Sequence, residues 1–256
     1  MKGLRHYPFR VVGRLIWFGG VVLFSLLDFL FRCGFGRGAW RRRSRTLWLQ
    51  RVARRVARIF QMEMHSAGEI PVRGLLVSNH LSYLDILLLA SLAPAVFVAK
   101  REVKSWPVMG WLARLGGTVF IDRQRRLHVG EVNDEIQDAL ENGALVVVFP
   151  EGTSSDGQTV LPFKSSLLKP ATQPSYPLTV ACIEYTLADG DAGTDVCYWG
   201  DAMFFPHLLN LLSKQSVCAF VRFAPVSSPG PDRKLLADRL HGEVLRLKKR
   251  SPRGPA

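Results

Sequence analysis

A histidine and an aspartate lie five positions apart in the segment NHLSYLD, residues 79–85. The segment follows the apolar run GLLV, so we expect His80 at the end of a buried strand and Asp85 one turn into the next helix. There the Asp85 carboxylate can accept a hydrogen bond from one ring nitrogen and leave the other nitrogen able to take a proton. Because no G-x-S-x-G segment accompanies the pair, a covalent serine hydrolase is disfavoured and the expected nucleophile is a substrate hydroxyl.

The spacing also has a purely structural interpretation. Ser82 followed by Asp85 is an acidic variant of the capping box that begins many helices. In that case the replacement Asp85→Asn would lower stability by about 1 kcal/mol or less, with no separate loss of function. The pattern alone leaves both interpretations open.

The segment FPEGTSSDG, residues 149–157, follows the apolar run ALVVVF. A glycine beside a strand end lets backbone N–H groups approach an anionic ligand, and Thr153 and Ser154 add hydroxyl donors. An ordinary turn with a solvated Glu151 is the alternative. In GTVFIDR, residues 117–123, Arg123 could hold a phosphate or pair with a nearby acid such as Asp122.

Short β-rich runs alternate with helical or irregular segments from Gly74 onward. The candidate strands are GLLVS, AVFVA, GTVFI, ALVVVF, LTVACIEY and VCAFVRF, and the clearest helices are SYLDILLLASL and LHVGEVNDEIQDALEN. Continuous apolar strands with intervening helices predict an α/β domain with a mostly parallel sheet flanked by helices. Reactive groups in such sheets collect at the strand ends.

The N-terminal quarter carries all of the excess charge. Residues 1–62 hold 14 of the 34 Lys and Arg but only one of the 21 Asp and Glu. The four cysteines show no C-x-x-C and no zinc-like spacing with histidines, and we interpret them as reduced thiols. The charge distribution therefore predicts a localised anionic partner.

Residues 9–31 are mostly apolar, but their uncharged centre, Leu15–Leu27, reaches only ~20 Å as a helix. The hydrocarbon core of a bilayer is about 30 Å thick. A helix lying in one leaflet therefore fits better, although a tilted crossing is possible if Arg14 snorkels. A cleaved signal peptide is disfavoured because four arginines lie within residues 41–45 and no small-residue cleavage site precedes them.

Residues 46–60 have apolar side chains at helical spacing and arginines at the other positions, which is typical of a basic amphipathic helix. Packing on the protein core and direct lipid contact are both open for its apolar face. The preceding apolar run favours an anionic membrane surface as the partner, and nucleic acid is not expected.

Three segments, NHLSYLD, GTVFIDR and FPEGTSS, occur in this order. With their separations they closely resemble the first three motifs of the glycerol-phosphate and lysophospholipid acyltransferase family, typified by 1-acylglycerol-3-phosphate acyltransferase. The connecting sequences AKREVKSWPVMGWLARLGG and VLPFKSSLL are also similar to those of the family. The resemblance covers about residues 70–225.

The resemblance implies an enzyme that moves an acyl group from acyl-CoA or an acyl carrier protein thioester to the free hydroxyl of a lysolipid. His80 is then the general base, and Asp85 orients it. The implied substrate-binding residues are Arg123, Glu151, Gly152, Thr153, Ser154 and Lys164. The family also places a two-helix membrane anchor before the catalytic domain, and it requires no cofactor or metal.

The acceptor implied first is 1-acylglycerol-3-phosphate, which gives phosphatidate. Two features point to another acceptor. Ser154 stands where relatives that act on lysophosphatidate commonly carry arginine, and YWGDAMFFPHLLNLL, residues 198–212, resembles the bacterial subset that acylates lyso-ornithine lipid. O-acylation of lyso-ornithine lipid is therefore the alternative.

We expect a membrane-associating helical segment at residues 1–62, the acyltransferase domain at 63–248 and a disordered tail at 249–256. The expected location is the cytoplasmic face of the cell inner membrane, with a monotopic helix or a single short span. Two competing classes are a catalytically silent membrane-surface binding protein and a thioesterase or lipase that uses water.

Residues Trp106, Pro107, Met109 and Trp111 are candidates for the lining of an acyl-chain channel, or for plain core. Lys100, Arg101 and Lys104 could attract coenzyme A phosphates or acyl carrier protein, or could form a solvated loop.

Overall fold

The computed structural model describes residues 7–33, 38–122, 126–172, 175–227 and 230–249. Their strands form one sheet in the order β1-β7-β6-β2-β5-β3-β4. The strands are β1 (Met62–Ala67), β2 (Gly74–Ser78), β3 (Ala95–Lys100), β4 (Val119–Ile121), β5 (Leu145–Val148), β6 (Leu178–Thr186) and β7 (Val217–Pro225). Every pairing is parallel except that of β6 with β7. The sheet is mostly parallel, as predicted.

All six strands predicted from the sequence are confirmed, and β1 was missed. Its sequence, MEMHSA, lacks the continuous apolar run of the central strands, because β1 lies at the edge of the sheet with most of its side chains exposed. By contrast, all five residues of β2 are buried. An edge strand with one solvated face gives a weak sequence signal.

Helices cover both faces of the sheet, which confirms the predicted α/β class. They are α1 (Pro8–Cys33), α2 (Gly38–Ile59), α3 (Leu84–Leu92), α4 (Met109–Gly116), α5 (Arg126–Glu141), α6 (Ala192–Asp195), α7 (Phe204–Ser213) and α8 (Arg233–Lys249). One core lies between the sheet and α2, α3 and α7, and the other lies between the sheet and α5 and α8. Lys249 belongs to α8, and residues 250–256 of the expected disordered tail lie outside the described residues.

Helix α2 packs its apolar face on the core. Trp48 is fully buried, and Val52 and Val56 are nearly so, whereas Arg54 and Arg58 are exposed. Of the two interpretations left open for residues 46–60, packing on the core is therefore the right one for the apolar face, and only the arginines remain outside.

Helix α1 behaves in the opposite way, because most of its apolar side chains are exposed. Phe9 is 92% exposed, Ile16 73% and Phe31 84%. Among the described residues, α1 is the one helix long and apolar enough to cross a membrane by length and composition. The predicted membrane-associating segment thus contains one helix with an outward apolar face and one with an inward apolar face.

Arg14 does not snorkel towards solvent, which corrects the arrangement considered for a tilted crossing. It is 6% exposed, and its guanidinium donates to Leu212 O at 3.0 Å, Lys214 O at 2.5 Å and Gln215 O at 2.9 Å. These carbonyls lie at the C-terminal end of α7, where the helix dipole favours a cation. The first half of α1 is therefore fastened to the domain.

The second half of α1 is fastened to α2, which runs antiparallel to it. Asp28 pairs with Arg51 of α2 at 3.1 Å and with Arg32 of α1 itself at 2.6 Å, and Trp48 Nε1 of α2 donates to Ser25 O at 2.8 Å. The pKa of Asp28 is lowered, since hydrogen bonds from the two arginines outweigh the effect of burial, which is its largest single influence and acts in the opposite direction. The helix is thus held to the protein at both ends.

Candidate active site

The contact between His80 and Asp85 expected from the sequence is present. His80 Nδ1 lies 2.7 Å from Asp85 Oδ2, and the Asp85 side chain is fully buried while that of His80 is 23% exposed. β2 ends at Ser78 and α3 begins at Leu84, so the connecting turn brings the carboxylate back to the ring. Among the described residues, no protein hydrogen bond reaches His80 Nε2, and that nitrogen is available to a ligand.

Asp85 also holds the turn that carries His80. Its Oδ2 accepts from the backbone N–H groups of Leu81 at 2.7 Å and Ser82 at 3.1 Å, and its Oδ1 accepts from the Tyr185 hydroxyl at 2.8 Å. These hydrogen bonds provide partners for the side-chain oxygens of Asp85, which are out of contact with water. Burial, followed by the charge of Asp85, raises the pKa of Tyr185 well above its usual range, so its hydroxyl remains a donor.

Half of the capping box proposed from the sequence is present. Ser82 N donates to Asp85, but Ser82 Oγ is buried and has no hydrogen-bond partner among the described residues. The reciprocal bond that a complete box requires is therefore missing. The Asp85 carboxylate caps the turn and contacts the histidine at the same time, so the two interpretations of the sequence describe one side chain.

Phe149, the residue after β5, fixes the plane of the His80 ring. The two rings stack with centroids 4.2 Å apart and planes 20° apart. β5 neighbours β2 in the sheet, with Val77 opposite Val148, so both strands end at the same edge. The carboxylate and the phenyl ring therefore fix the orientation of His80 from two directions.

Glu151 lies behind this edge and does not line the cavity. Its Oε1 accepts from His80 N at 2.9 Å and its Oε2 from Leu161 N at 3.3 Å, and the residue is 2% exposed. Burial raises the pKa of Glu151 to about 7, against an opposing effect of the two backbone hydrogen bonds. The alternative interpretation, in which Glu151 is solvated, is wrong because Glu151 is buried. Its carboxyl group joins the His80 turn to the segment after Gly152.

Gly152, Thr153 and Ser154 line the same cavity as His80. Gly152 has a φ of +77°, a backbone conformation that favours glycine at this turn. The Ser154 hydroxyl donates to the Tyr198 carbonyl, and Tyr198 N donates to Leu81 O at 2.8 Å. Tyr198, in the segment that precedes α7, thereby connects the 152–154 turn to the turn that carries His80.

The cavity has a volume of about 320 Å³ and extends from these polar groups into an apolar interior. α2 contributes Leu49, Val52, Ala53 and Val56 to its wall, and the other apolar lining residues include Ile86, Leu87, Ala90, Leu112, Trp106 and Met109. Trp111, the fourth candidate residue, is 60% exposed, and neither it nor Pro107 lines the cavity. The space is at the small end of the range for ligand pockets.

The remaining predicted site residues are placed differently. Arg123 lies outside the described residues, and Asp122 before it pairs with Arg101 at 3.1 Å. Lys164 is exposed, its backbone N–H donates to Pro150 O at 2.9 Å, and it does not line the cavity. The structure therefore brings together His80, Asp85 and the 152–154 turn, but not Lys164.

One group of metal-ligating side chains occurs within the described parts of the chain. Atoms of Glu63, His65 and Cys218 lie within 4.8 Å of one another on β1 and β7. β6 lies between β7 and β2 in the sheet, so this group is not part of the His80 site. Sequence reasoning missed it because strand pairing, and not sequence spacing, brings the cysteine to the histidine.

Comparison with known proteins places this site in a family. The family model named Acyltransferase matches residues 61–184. A lyso-ornithine lipid O-acyltransferase of Rhizobium meliloti (strain 1021) is 36% identical over 80% of each chain. The chain belongs to this acyltransferase family. A lyso-ornithine lipid O-acyltransferase of Brucella abortus is 34% identical over 87% of this chain and 88% of its own.

Two further comparisons concern proteins with a different named acceptor. A 1-acyl-sn-glycerol-3-phosphate acyltransferase of Neisseria gonorrhoeae is 34% identical over 52% of this chain and 56% of its own. The crystal structure of the 1-acyl-sn-glycerophosphate (LPA) acyltransferase from Thermotoga maritima shares the fold, with a TM-score of 0.68, 23% identity and coverage of 99% of this chain and 100% of that one. The predicted fold and the predicted enzyme class are both confirmed.

Three residues that contact His80, Asp85 or the 152–154 turn were not predicted from the sequence as parts of the site. Tyr185 reaches Asp85 from β6, Phe149 stacks on His80 from β5, and Tyr198 meets the 152–154 turn. The only sequence signal for the first two is their position at the ends of apolar strands. Parallel strands that end at one edge bring such residues together.

Proposed function

We propose that this acyltransferase moves a fatty acyl group from an acyl thioester to the free hydroxyl of a lysolipid, with His80 as the general base. The observation that carries the proposal is the His80 ring, held by Asp85 at Nδ1 and exposed to a largely apolar cavity. The names of the relatives support a lysolipid acceptor.

In the proposed reaction, His80 Nε2 takes the proton of the acceptor hydroxyl while that oxygen attacks the thioester carbonyl. The C–S bond then breaks, and the protonated ring returns its proton to the leaving thiolate. The products are a new ester and a free thiol. Asp85 stabilises the transient positive charge on the ring and fixes its tautomer. Coenzyme A and acyl carrier protein are the proposed thioester carriers, and the reaction needs no metal or cofactor.

The apolar interior of the cavity is the proposed site of an acyl chain. Its polar end contains His80 and the 152–154 turn, and its walls are aliphatic and aromatic side chains from α2, α3 and α4. A chain inserted there would place its carboxyl end near the ring. We assign Glu151 a positioning role, because its carboxylate binds two backbone N–H groups, while substrate contacts of Arg123 and Lys164 stay predictions.

We place lyso-ornithine lipid first among the acceptors, ahead of the 1-acylglycerol-3-phosphate implied by the motifs. Two relatives that are 34% or more identical over 80% or more of this chain are named lyso-ornithine lipid acyltransferases. Ser154, which occupies the place of the arginine of lysophosphatidate enzymes, donates to a backbone carbonyl of Tyr198. Tyr198 and Trp199 from the 198–212 segment line the cavity. 1-Acylglycerol-3-phosphate remains the second candidate because other relatives carry that name.

We also propose that α1 lies in the cytoplasmic leaflet of the inner membrane as a monotopic anchor. Its apolar side chains point away from the protein, and Arg14 and Asp28 fasten it to the domain at both ends. A helix held in this way cannot cross the bilayer without drawing the domain into it. The thioester is then supplied from the cytosolic side.

An acceptor panel tests the proposed reaction. The purified protein is incubated in mixed micelles with acyl-coenzyme A or acyl carrier protein thioester and with lyso-ornithine lipid, lysophosphatidate or lysophosphatidylethanolamine. We expect diacyl product from lyso-ornithine lipid with the largest kcat/KM. Free fatty acid without diacyl product would instead identify a thioesterase, and no product with any pair would support the silent binding protein.

The variant Ser154→Arg sharpens the choice of acceptor. It supplies the cation that lysophosphatidate enzymes carry after their EGT triplet, so the ratio of kcat/KM for lysophosphatidate to that for lyso-ornithine lipid should rise by about tenfold, as expected for a hydrogen bond to a charged group. Ser154→Ala is the matched control, since it removes the bond to Tyr198 without adding charge. An equal change in both variants would contradict the assignment.

A further inference from the structure

A second cavity, of about 410 Å³, lies beside the sheet edge formed by β4. Its lining contains five basic side chains from α2, α4 and the turn after β3: Arg41, Arg42, Arg45, Lys104 and Arg114. Among the described residues, the lining contains one carboxylate, that of Glu135 on α5. Thr118 lines both this basic cavity and the apolar cavity at His80, so the two share a wall.

Much of the positive charge in the basic cavity is not cancelled by acids in the described residues. Arg42 pairs with Asp138, whereas Arg45 donates to Leu115 O at 2.7 Å and Arg114 donates to Lys104 O at 2.8 Å. Carbonyl acceptors orient a guanidinium but carry no full negative charge. Several cations in one concave space repel one another, and an anion that binds them relieves this repulsion.

The basic cavity lies at the end of the α1–α2 pair that carries exposed apolar side chains. Cys33 Sγ donates to Ser44 O at 3.5 Å, which brings the end of α1 against the first turns of α2. Nearby on these two helices, Leu30 is 62% exposed, Phe31 84% and Trp40 57%. A molecule with a charged head and apolar tails could therefore contact the basic cavity and this apolar end at once.

We propose that the basic cavity binds the phosphate of an anionic membrane phospholipid. Arginine forks match phosphate oxygens, and basic clusters at a membrane surface attract anionic headgroups. The lipid is distinct from the acyl acceptor, because His80 does not line this cavity. The inference rests on the membrane placement of α1 in the proposed function, but not on the acyl transfer reaction itself.

Vesicle binding tests the proposal. Flotation measures the partition of the protein onto phosphatidylcholine vesicles with and without phosphatidylglycerol, at physiological salt. Arg41→Gln and Arg114→Gln should weaken binding to the anionic vesicles by about 10- to 100-fold, the range for a lost charge-assisted hydrogen bond. Arg43→Gln is the matched control, because Arg43 is exposed on α2 outside the cavity. It should weaken binding by no more than about fivefold, the general effect of one charge.

The two cavity variants protect the test against misfolding. Replacing Arg114 removes its hydrogen bond to the turn after β3 and can disturb that turn. Arg41 is exposed, so its replacement should leave the fold intact. A thermal melt of each variant checks this. Equal losses for Arg41→Gln and Arg43→Gln would overturn the proposal, because attraction to the membrane would then be diffuse.

Soluble phosphates distinguish the source of the ligand. Without vesicles, inorganic phosphate and coenzyme A should bind only weakly, because they lack apolar tails that could contact the exposed apolar ends of α1 and α2. Tight binding of coenzyme A that is lost in Arg41→Gln would overturn the proposal, since the cavity would then hold the thioester carrier. His80→Ala should bind anionic vesicles as the unaltered protein does, so a failure of the acyl transfer proposal is recognised separately.

Discussion

The turn after β2 and the first turn of α7 each hold a histidine beside aromatic rings, but the two histidines use their nitrogens differently. His80 has one nitrogen on Asp85 and its ring in the cavity. His207 uses both nitrogens within the protein, with Nδ1 3.0 Å from the Tyr83 hydroxyl and Nε2 3.2 Å from Cys197 O. Since a carbonyl only accepts, His207 Nε2 carries the proton and Nδ1 accepts from Tyr83.

Burial is the largest influence on His207 and lowers its pKa, so this ring remains neutral. Both of its nitrogens have partners, and it therefore has no proton acceptor to offer a substrate. A carboxylate at one nitrogen and an open cavity at the other distinguish the candidate base from a histidine that serves the fold.

The largest expected effect comes from replacing each histidine in turn. His80→Ala should lower kcat/KM for acyl transfer by about 100- to 10,000-fold, the usual contribution of a general base. His207→Ala should leave kcat/KM within a few-fold but lower the free energy of unfolding by about 1 to 3 kcal/mol, because it leaves Tyr83 without its buried partner. Equal losses of activity in the two variants, each corrected for folded protein, would remove the distinction.

A smaller loss is expected for Asp85→Asn. The amide can orient the ring only weakly and presents N–H groups towards the backbone donors of Leu81 and Ser82, so kcat should fall by about 100-fold. Steady-state kinetics and denaturant unfolding are measured on the same samples. If the variant loses about 1 kcal/mol of stability or less and keeps its kcat, Asp85 is only a helix cap.

Glu151→Gln tests a contact that His80 has and His207 lacks. The backbone N–H of His80 donates to the buried carboxyl group of Glu151. Because the pKa of Glu151 is raised to about 7, the folded protein holds this proton more tightly than the unfolded chain. This group's contribution to stability is therefore lost as pH rises from about 4.5 to 7. Glu151→Gln should remove that part of the pH dependence, on the order of 3 kcal/mol.

The measurement is denaturant unfolding in detergent at the two ends of this pH window. Glu69→Gln, a change at an exposed glutamate, is the matched control and should leave the pH dependence as it is. A pH dependence in Glu151→Gln equal to that of the unaltered protein would show that another group is responsible.

The smallest expected effect is that of Tyr185→Phe. It removes the hydroxyl that donates to Asp85 Oδ1 and should lower the free energy of unfolding by about 1 to 2 kcal/mol, with kcat reduced only a few-fold. Tyr176→Phe is the control, because Tyr176 OH lies near Glu141 at the surface. A loss of kcat as large as that of Asp85→Asn would assign Tyr185 a part in the chemistry.

The central strands and the His80–Asp85 contact could be predicted because both depend on local patterns. Continuous apolar runs identify buried strands, and a turn of five residues brings the carboxylate back to the ring. Tyr185 could not be predicted, since it is 100 residues from Asp85 and meets it only through the pairing of β2 with β6. The direction of an apolar helix face is similarly nonlocal, and for that reason the sequence could not show that the apolar face of α2 packs on the core while that of α1 points outward.

The carbonyl partners of Arg14 have a consequence for the order of events during synthesis. They lie about 200 residues later in the chain, so at about 5 to 20 residues per second the ribosome needs on the order of 10 to 40 seconds to make them. During that interval the guanidinium lacks these three acceptors, and a charged side chain in α1 disfavours insertion of the helix as a span. Helix α1 can therefore reach its final position only after the end of α7, about 200 residues later, has folded.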